Sequence, residues 1–387
     1  MIDPELQALL EPLERFEAIR RGVARLGNRL CDLSYANPYD GVRTAARQAL
    51  ADTLSEERAL DLQYSPFGGQ TLARRAAADA LRESHGLPFR GEDVILTPGA
   101  MSALQLALRQ AGVPGGEVVI PVPCWLDHPL FARFAGLEPR LVPLAKADLD
   151  LDLGAIEAAL SERTCAIVLS HPANPSGRSY SPGMLARLGE LLDEAEKRHR
   201  CRVTLISDEA HRDFIAEGEY RSPAGFFVRT VVVYSFGKYH FMQGQRLGYA
   251  AVSPRHPERE ATAEELVRWT RVTGTATPTA LMQRALPRLL ALRHDHSWLE
   301  PAREHLVSEL SARGYEVLVP DATLFVYART PRGYADDFEF VHELARRAVL
   351  ALPAPVFHHR GHFRLSLTAS EEMVMRSLPV FAEMAPA

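Results

Sequence analysis

Between residues 94 and 253 the chain lays down seven short apolar runs rich in β-branched residues. They are VILT (94–97), EVVIPV (117–122), PRLVPL (139–144), CAIVLS (165–170), RVTLIS (202–207), TVVVYS (230–235) and LGYAAVS (247–253). Helical patterns fill the spaces between them. A strand with one face in water alternates apolar and polar residues; these runs are continuous apolar stretches with few polar residues, so each is expected to be buried on both faces. Strands of that kind, separated by helices, specify a mostly parallel, doubly wound α/β sheet. Upstream, Asp3 and Pro4 suit the start of a helix, and Leu6, Leu9, Leu10, Leu13, Phe16 and Ile19 continue it, with Pro12 expected to break or kink it. Turn-rich stretches follow at 33–41 (LSYANPYDG) and 63–70 (QYSPFGGQ). Downstream, a helical stretch is predicted over 278–311, then strands EVLVP, TLFVYAR and FRLSLT with a helix over 335–350. The chain therefore divides into a large α/β domain, residues 46–285, and a smaller α+β domain built from both ends, residues 1–45 and 286–387.

Apolar residues are 47% and charged residues 24%, which excludes a disordered chain, and the net charge of −5 provides no basic field for nucleic acid or an anionic membrane. Cys31, Cys124, Cys165 and Cys201 are far apart and form no CxxC pair, as expected of reduced thiols in a cytoplasmic protein. The acidic start MIDPELQALLEPLERF is no signal peptide, and no apolar run reaches the roughly 18–20 residues that span a bilayer. HDH (294–296), on a predicted charged helix face, and HHRGH (358–362), in a loop before FRLSLT, are read as surface or substrate-pocket histidines, and no metal is assigned.

In a doubly wound sheet, ligands bind beyond the carboxyl ends of the strands. After the first run comes TPGAMSALQLAL, a glycine turn entering a helix, where the N–H groups of Gly99, Ala100 and Met101 form a natural phosphate site. Neither GxGxxG nor GxxxxGK[ST] is present, against a nicotinamide fold and a P-loop. Other runs lead to Trp125 in PVPCWLDH, to Asn174 in SHPANPSG, to Asp208 and Glu209 in SDEAHRDF, and to Ser235, Lys238 and Arg246 in SFGKYHFMQGQRLGY. Each has an ordinary structural explanation: a core tryptophan, a turn asparagine, a solvated acidic pair, a surface lysine. Together on one rim they match the needs of pyridoxal phosphate: a lysine for its Schiff base, a carboxylate for its pyridine nitrogen, and phosphate donors.

These motifs resemble the class I/II aminotransferases of fold type I, the aspartate aminotransferase-like superfamily, from about residue 30 to 375. HPANPSG is similar to NPNNPTG, which implies that Asn174 holds the cofactor's phenolic oxygen. SDEAHRDF is similar to DExYxxF, which implies that Asp208 pairs with the pyridine nitrogen and that His211 stands beside the cofactor where the family usually has Tyr. SFGKYHFMQGQRLGY is similar to SxSKxxxxxGxRxGY, implying Lys238 as the cofactor-linked lysine and Ser235 and Arg246 as phosphate ligands, with Gly237 where Ser is common. By the same resemblance Trp125 stacks on the ring, Gly99, Ala100 and Met101 form the phosphate cup, and Tyr64 of YSPFGGQTL reaches the partner subunit's phosphate in a homodimer. Arg364 of FRLSL is implied to grip the substrate carboxylate, with Asn174 and Ala36 (of YANP, where Gly is frequent) also at the substrate. The implied reaction is transamination of an α-amino acid with a 2-oxo acid. His211 leaves open a lyase, a replacement or cyclising enzyme or an oxidase of the same fold. A non-catalytic sensor that only binds the cofactor is a further alternative.

Overall fold

The computed structural model describes residues 3–38, 44–56, 58, 62–216 and 218–386. All seven runs are strands of one sheet, in the spatial order Val94–Thr97, Gly248–Val252, Thr230–Ser235, Thr204–Asp208, Thr164–Ser170, Glu117–Val122, Glu138–Pro143. Every pairing is parallel except those of Gly248–Val252, which runs antiparallel to both neighbours. The apolar runs are explained by what covers each face. Val231 and Val233 pack with Ile95, Ile206 and helix Ala100–Ala111. Val232 and Tyr234, on the opposite face, pack with Val94, Leu96, Ala77 and Leu286. Glu138–Pro143 is an edge strand and is largely open to solvent.

A second, smaller sheet is antiparallel, in the order Leu352–Pro353, His362–Ser366, Phe325–Arg329, Val317–Leu318. Beside it, Cys31–Asp32 pairs in parallel with Val349–Leu350, so this region is completed by both ends of the chain. Helices Asp337–Arg346, Leu299–Ala312 and Glu371–Glu383 complete it.

Four expectations are corrected. The run at 139–144, expected to be buried on both faces, forms the solvent-open edge strand Glu138–Pro143. The first helix, Pro4–Val23, is capped by Asp3 as expected but runs straight through Pro12; fully buried Phe16 on the next turn shows that packing of the apolar face outweighs the lost hydrogen bond. The stretch 278–311 is two helices, Ala280–Ala291 and Leu299–Ala312. HDH lies between them rather than on a helix. Leu292 leaves the first helix in an extended conformation, and His294 Nε2 comes within 2.7 Å of His240 Nδ1. In the turn-rich stretch 33–41, residues 39–41 lie outside the described residues; 33–38 and 63–70 contain no helix of their own.

Candidate active site

Five strands of the large sheet deliver their carboxyl ends to one cleft of about 130 Å³. Ala100, Met101, Trp125, Asn174, Asp208, His211, Ser235, Lys238 and Arg246 all line it. A wider groove of about 550 Å³ opens between helices Pro4–Val23 and Asp337–Arg346 and holds none of the predicted site residues.

At one end of the cleft, Gly99 caps helix Ala100–Ala111 with φ 87°, a left-handed conformation that favours glycine. A Cβ at Gly99 would stand 2.7 Å from the Arg246 Nη2, so the bare backbone is what admits the guanidinium beside the helix N-terminus. Ser235 ends strand Thr230–Ser235 at the same place. The Gly99 N–H, expected to face a phosphate, instead donates to the Thr97 carbonyl at 2.7 Å; the N–H groups of Ala100 and Met101, a hydroxyl and a guanidinium make the phosphate cradle.

Asp208 ends the central strand Thr204–Asp208. Its Oδ2 stands 3.1 Å from His128 Nε2, and its Oδ1 accepts from the Ala210 N–H at 3.1 Å. His128 is fully buried at the start of helix His128–Phe134. In the sequence His128 is a polar residue three positions after Trp125 with no partner marked by its neighbours. The structure instead sets it behind Asp208. Neither His128 nor Asp127 lines the cleft. Asp208 and Glu209 are not a solvated acidic pair. Glu209 is fully buried against His85 Nε2 at 2.8 Å and accepts from Ser222 Oγ at 2.6 Å. Burial opposes its charge, but His85, Arg212 and Ser222 outweigh that and hold its pKa down at about 2.

Lys238 sits on the single turn Phe236–Tyr239. Burial, reinforced by Arg364 and Arg246 and opposed by Asp208, lowers its pKa to about 8. His211 is buried, its ring edge-on to Phe325 at 5.3 Å, and its Nδ1 has no hydrogen-bond partner among the described residues. Burial together with Lys238 and Arg364 holds its pKa well below the usual histidine value, so it is neutral near pH 7.

Arg364 does not line the cleft wall but lies 1% exposed behind it. Its Nη1 donates to Asn174 Oδ1 and its Nη2 to the Ser34 carbonyl, both at 2.8 Å. Its guanidinium covers the Phe325 ring at 3.8 Å. No carboxylate pairs with it among the described residues, and burial pulls its pKa down to about 9. Because Asn174 Oδ1 is committed to Arg364, the amide nitrogen is the part of Asn174 left to donate elsewhere. Ala36 is buried, and its carbonyl accepts from Gln243 Nε2 at 2.9 Å. Gln243 lines the cleft and was not anticipated; its place between Lys238 and Arg246 was the available signal. Tyr64 is fully exposed and outside the cleft.

The residue set fits pyridoxal phosphate: a cradle that a Cβ at Gly99 would fill, a buried amine, a carboxylate for a ring nitrogen and a flat indole. The family model for aminotransferase class I and II matches residues 29–378. An aspartate/prephenate aminotransferase of Thermus thermophilus is 28% identical over 351 residues, covering 88% of this chain and 86% of that protein. An aspartate aminotransferase structure from the same organism, a single mutant, superposes with TM-score 0.86 at 26% identity, covering 96% of each chain. An amino transferase structure from Eubacterium rectale superposes with TM-score 0.89 at 23% identity, covering 99% and 98%, and at that identity it speaks to the fold alone. The chain belongs to the class I and II aminotransferase family, of fold type I. It is a pyridoxal-phosphate-dependent aminotransferase.

Proposed function

We propose that this cleft exchanges an amino group between an α-amino acid and a 2-oxo acid, in a cytoplasmic homodimer to which Tyr64 contributes across the interface. The division into a cofactor domain, 46–285, and a small domain, 1–45 with 286–387, belongs to the same reading. The observation that carries it is Arg364: a buried guanidinium with no carboxylate partner among the described residues, bonded to Asn174 at the back of the cleft onto which the buried lysine opens. A buried cation without a counter-ion is costly, and a substrate α-carboxylate is a planar anion that matches its fork.

When bound, pyridoxal phosphate supplies a ring that accepts the electron pair left at Cα. The N–H groups of Ala100 and Met101, Ser235 and Arg246 would hold its phosphate, with bare Gly99 making room for Arg246, and the Trp125 indole would offer a flat surface to its ring. Asp208, steadied by His128, keeps a proton on the pyridine nitrogen, because an opposite charge favours the protonated form. The Asn174 amide and the His211 imidazole donate to the phenolic oxygen. Lys238 would be the residue that holds the cofactor covalently, and its free amine would be placed to take the proton from the substrate Cα and return it. Arg364, Asn174 and the backbone at Ala36 orient the amino acid.

The test mixes the holoenzyme with a panel of amino acids and follows visible absorption. Conversion to the amine form of the cofactor, reversed by a 2-oxo acid, is the expected result. Ammonia release without the amine form would overturn it and indicate lyase-type chemistry.

Arg364→Lys keeps a positive charge but loses the bidentate fork. Loss of a charge-assisted hydrogen bond is worth roughly 2 kcal/mol, so KM for the amino acid should rise about thirtyfold. The resting cofactor spectrum should be unchanged. Normal amino-acid binding with loss of cofactor would show that this strand serves the cofactor instead.

His211→Phe removes a donor from the phenolic oxygen. The pH midpoint of the bound cofactor's visible absorption should rise by about one unit, and His211→Tyr should restore a low midpoint. Coincident titration curves for the three proteins would show that His211 does not tune the cofactor.

A further inference from the structure

The two residues Phe357 and His358 touch both halves of the site. Phe357 ends the short 3-10 turn Ala354–Phe357, just before the strand His362–Ser366 that bears Arg364. Its ring lies 4.8 Å from the Arg364 guanidinium. Its carbonyl accepts a hydrogen bond from the Cys124 N–H at 3.2 Å, and His358 Nε2 lies 3.2 Å from the Leu126 carbonyl oxygen. Cys124 and Leu126 flank Trp125. This dipeptide therefore fastens the loop that carries the indole to the strand that carries the guanidinium.

His358 occupies a left-handed backbone conformation to do so. Its φ is 58°, in a region uncommon for residues other than glycine, although histidine enters it more readily than most. The neighbouring contacts hold it there. The His358 N–H bonds to the Pro355 carbonyl, the His359 N–H to the Ala354 carbonyl, and His359 Nδ1 lies 2.9 Å from the Tyr327 hydroxyl on the adjacent strand. A carbonyl only accepts, so His358 must donate from Nε2. Burial lowers its pKa, which favours the neutral ring with the proton on that nitrogen.

We propose that His358 is a positioning residue that fixes the spacing between the Trp125 wall and Arg364, and with it the pose in which an amino acid presents its Cα to Lys238. It acts through Leu126 and Phe357 and lies outside the residues lining the cleft. The proposal rests on the assignment of Trp125 to the cofactor ring and Arg364 to the substrate carboxylate.

Three holoenzyme variants test it. In His358→Gln the amide nitrogen falls near the position of the imidazole Nε2 and can still donate to Leu126. In His358→Asn the backbone is better suited to a left-handed φ, but the amide ends short of that carbonyl. In His358→Ala the donor is gone. For the Ala and Asn variants, KM for the amino acid should rise about tenfold and the visible circular dichroism of the bound cofactor should fall by about half, at full cofactor occupancy. The Gln variant should restore both quantities to within about twofold of the parent. Three results would overturn the proposal: parental values in the Ala variant, an Asn variant restored while Gln is not, or a Gln variant as impaired as Ala. The first would mean no role, the second a purely backbone effect, and the third a packing role. Failure of the parent protein to give visible dichroism with pyridoxal phosphate would instead strike the assignment of the cleft itself, before any variant is compared.

Discussion

Lys238→Ala protein is expected to bind pyridoxal phosphate and yet lose amino-group transfer by at least about 10⁴-fold, the top of the range for a single acid–base group, because the covalent link goes as well. The chain has only three lysines, Lys146, Lys197 and Lys238. The first two are exposed, and Lys238 alone opens onto the cleft. Borohydride reduction of the parent holoenzyme followed by peptide mass spectrometry should place the cofactor on Lys238. An adduct on Lys146 or Lys197, or an unchanged visible band in the variant, would refute the assignment. A pH dependence follows as well. The neutral amine is the nucleophile, and burial beside Arg364 and Arg246 brings the Lys238 pKa down to about 8. The neutral fraction grows as pH rises through that value, so the rate at which apoprotein takes up cofactor covalently should climb between about pH 7 and 9 and then level off.

Asp208→Asn should lower turnover by roughly 10²–10³-fold, about 3–4 kcal/mol, as for other preorganised electrostatic groups. Asparagine is nearly isosteric and can still accept from the Ala210 N–H and meet His128, so the fold should tolerate it. A melting temperature within a few degrees of the parent, together with the large loss of turnover, separates the electrostatic role from a structural one. Turnover near the parent value would exclude Asp208 as the holder of the pyridine proton.

What could be read from the chain depended on how local the cause was. Six of the seven strands were legible because they are buried on both faces, as Val231, Val232 and Val233 show by alternating between two cores; Glu138–Pro143, at the sheet edge, is open to solvent. The rim residues were legible because each follows one of those strands directly, as Asp208 and Ser235 do. The antiparallel course of Gly248–Val252 left no mark on its composition. Contacts between distant segments left none either. His128 behind Asp208, and Asn174 against Arg364, join residues 80 and 190 positions apart. Pro12 shows the same limit from the other side. Local chemistry predicts a broken helix, and burial of Phe16 overrides it. His294–His296 lies off the helices because Leu292 turns the chain out and His240 receives His294.

The parallel pairing of Cys31–Asp32 with Val349–Leu350 sets a schedule for synthesis. At roughly 5–20 residues per second, the first of these strands leaves the ribosome some 15–60 s before its partner. During that interval Cys31 and Leu33, both buried in the finished protein, have no strand to lie against. Helix Pro4–Val23 waits as well, since Asp337–Arg346, against which it packs, is made equally late. The large sheet has all seven strands once residue 252 has emerged, so the order of assembly runs from the middle of the chain outward. The two ends close the molecule last, and they do so together.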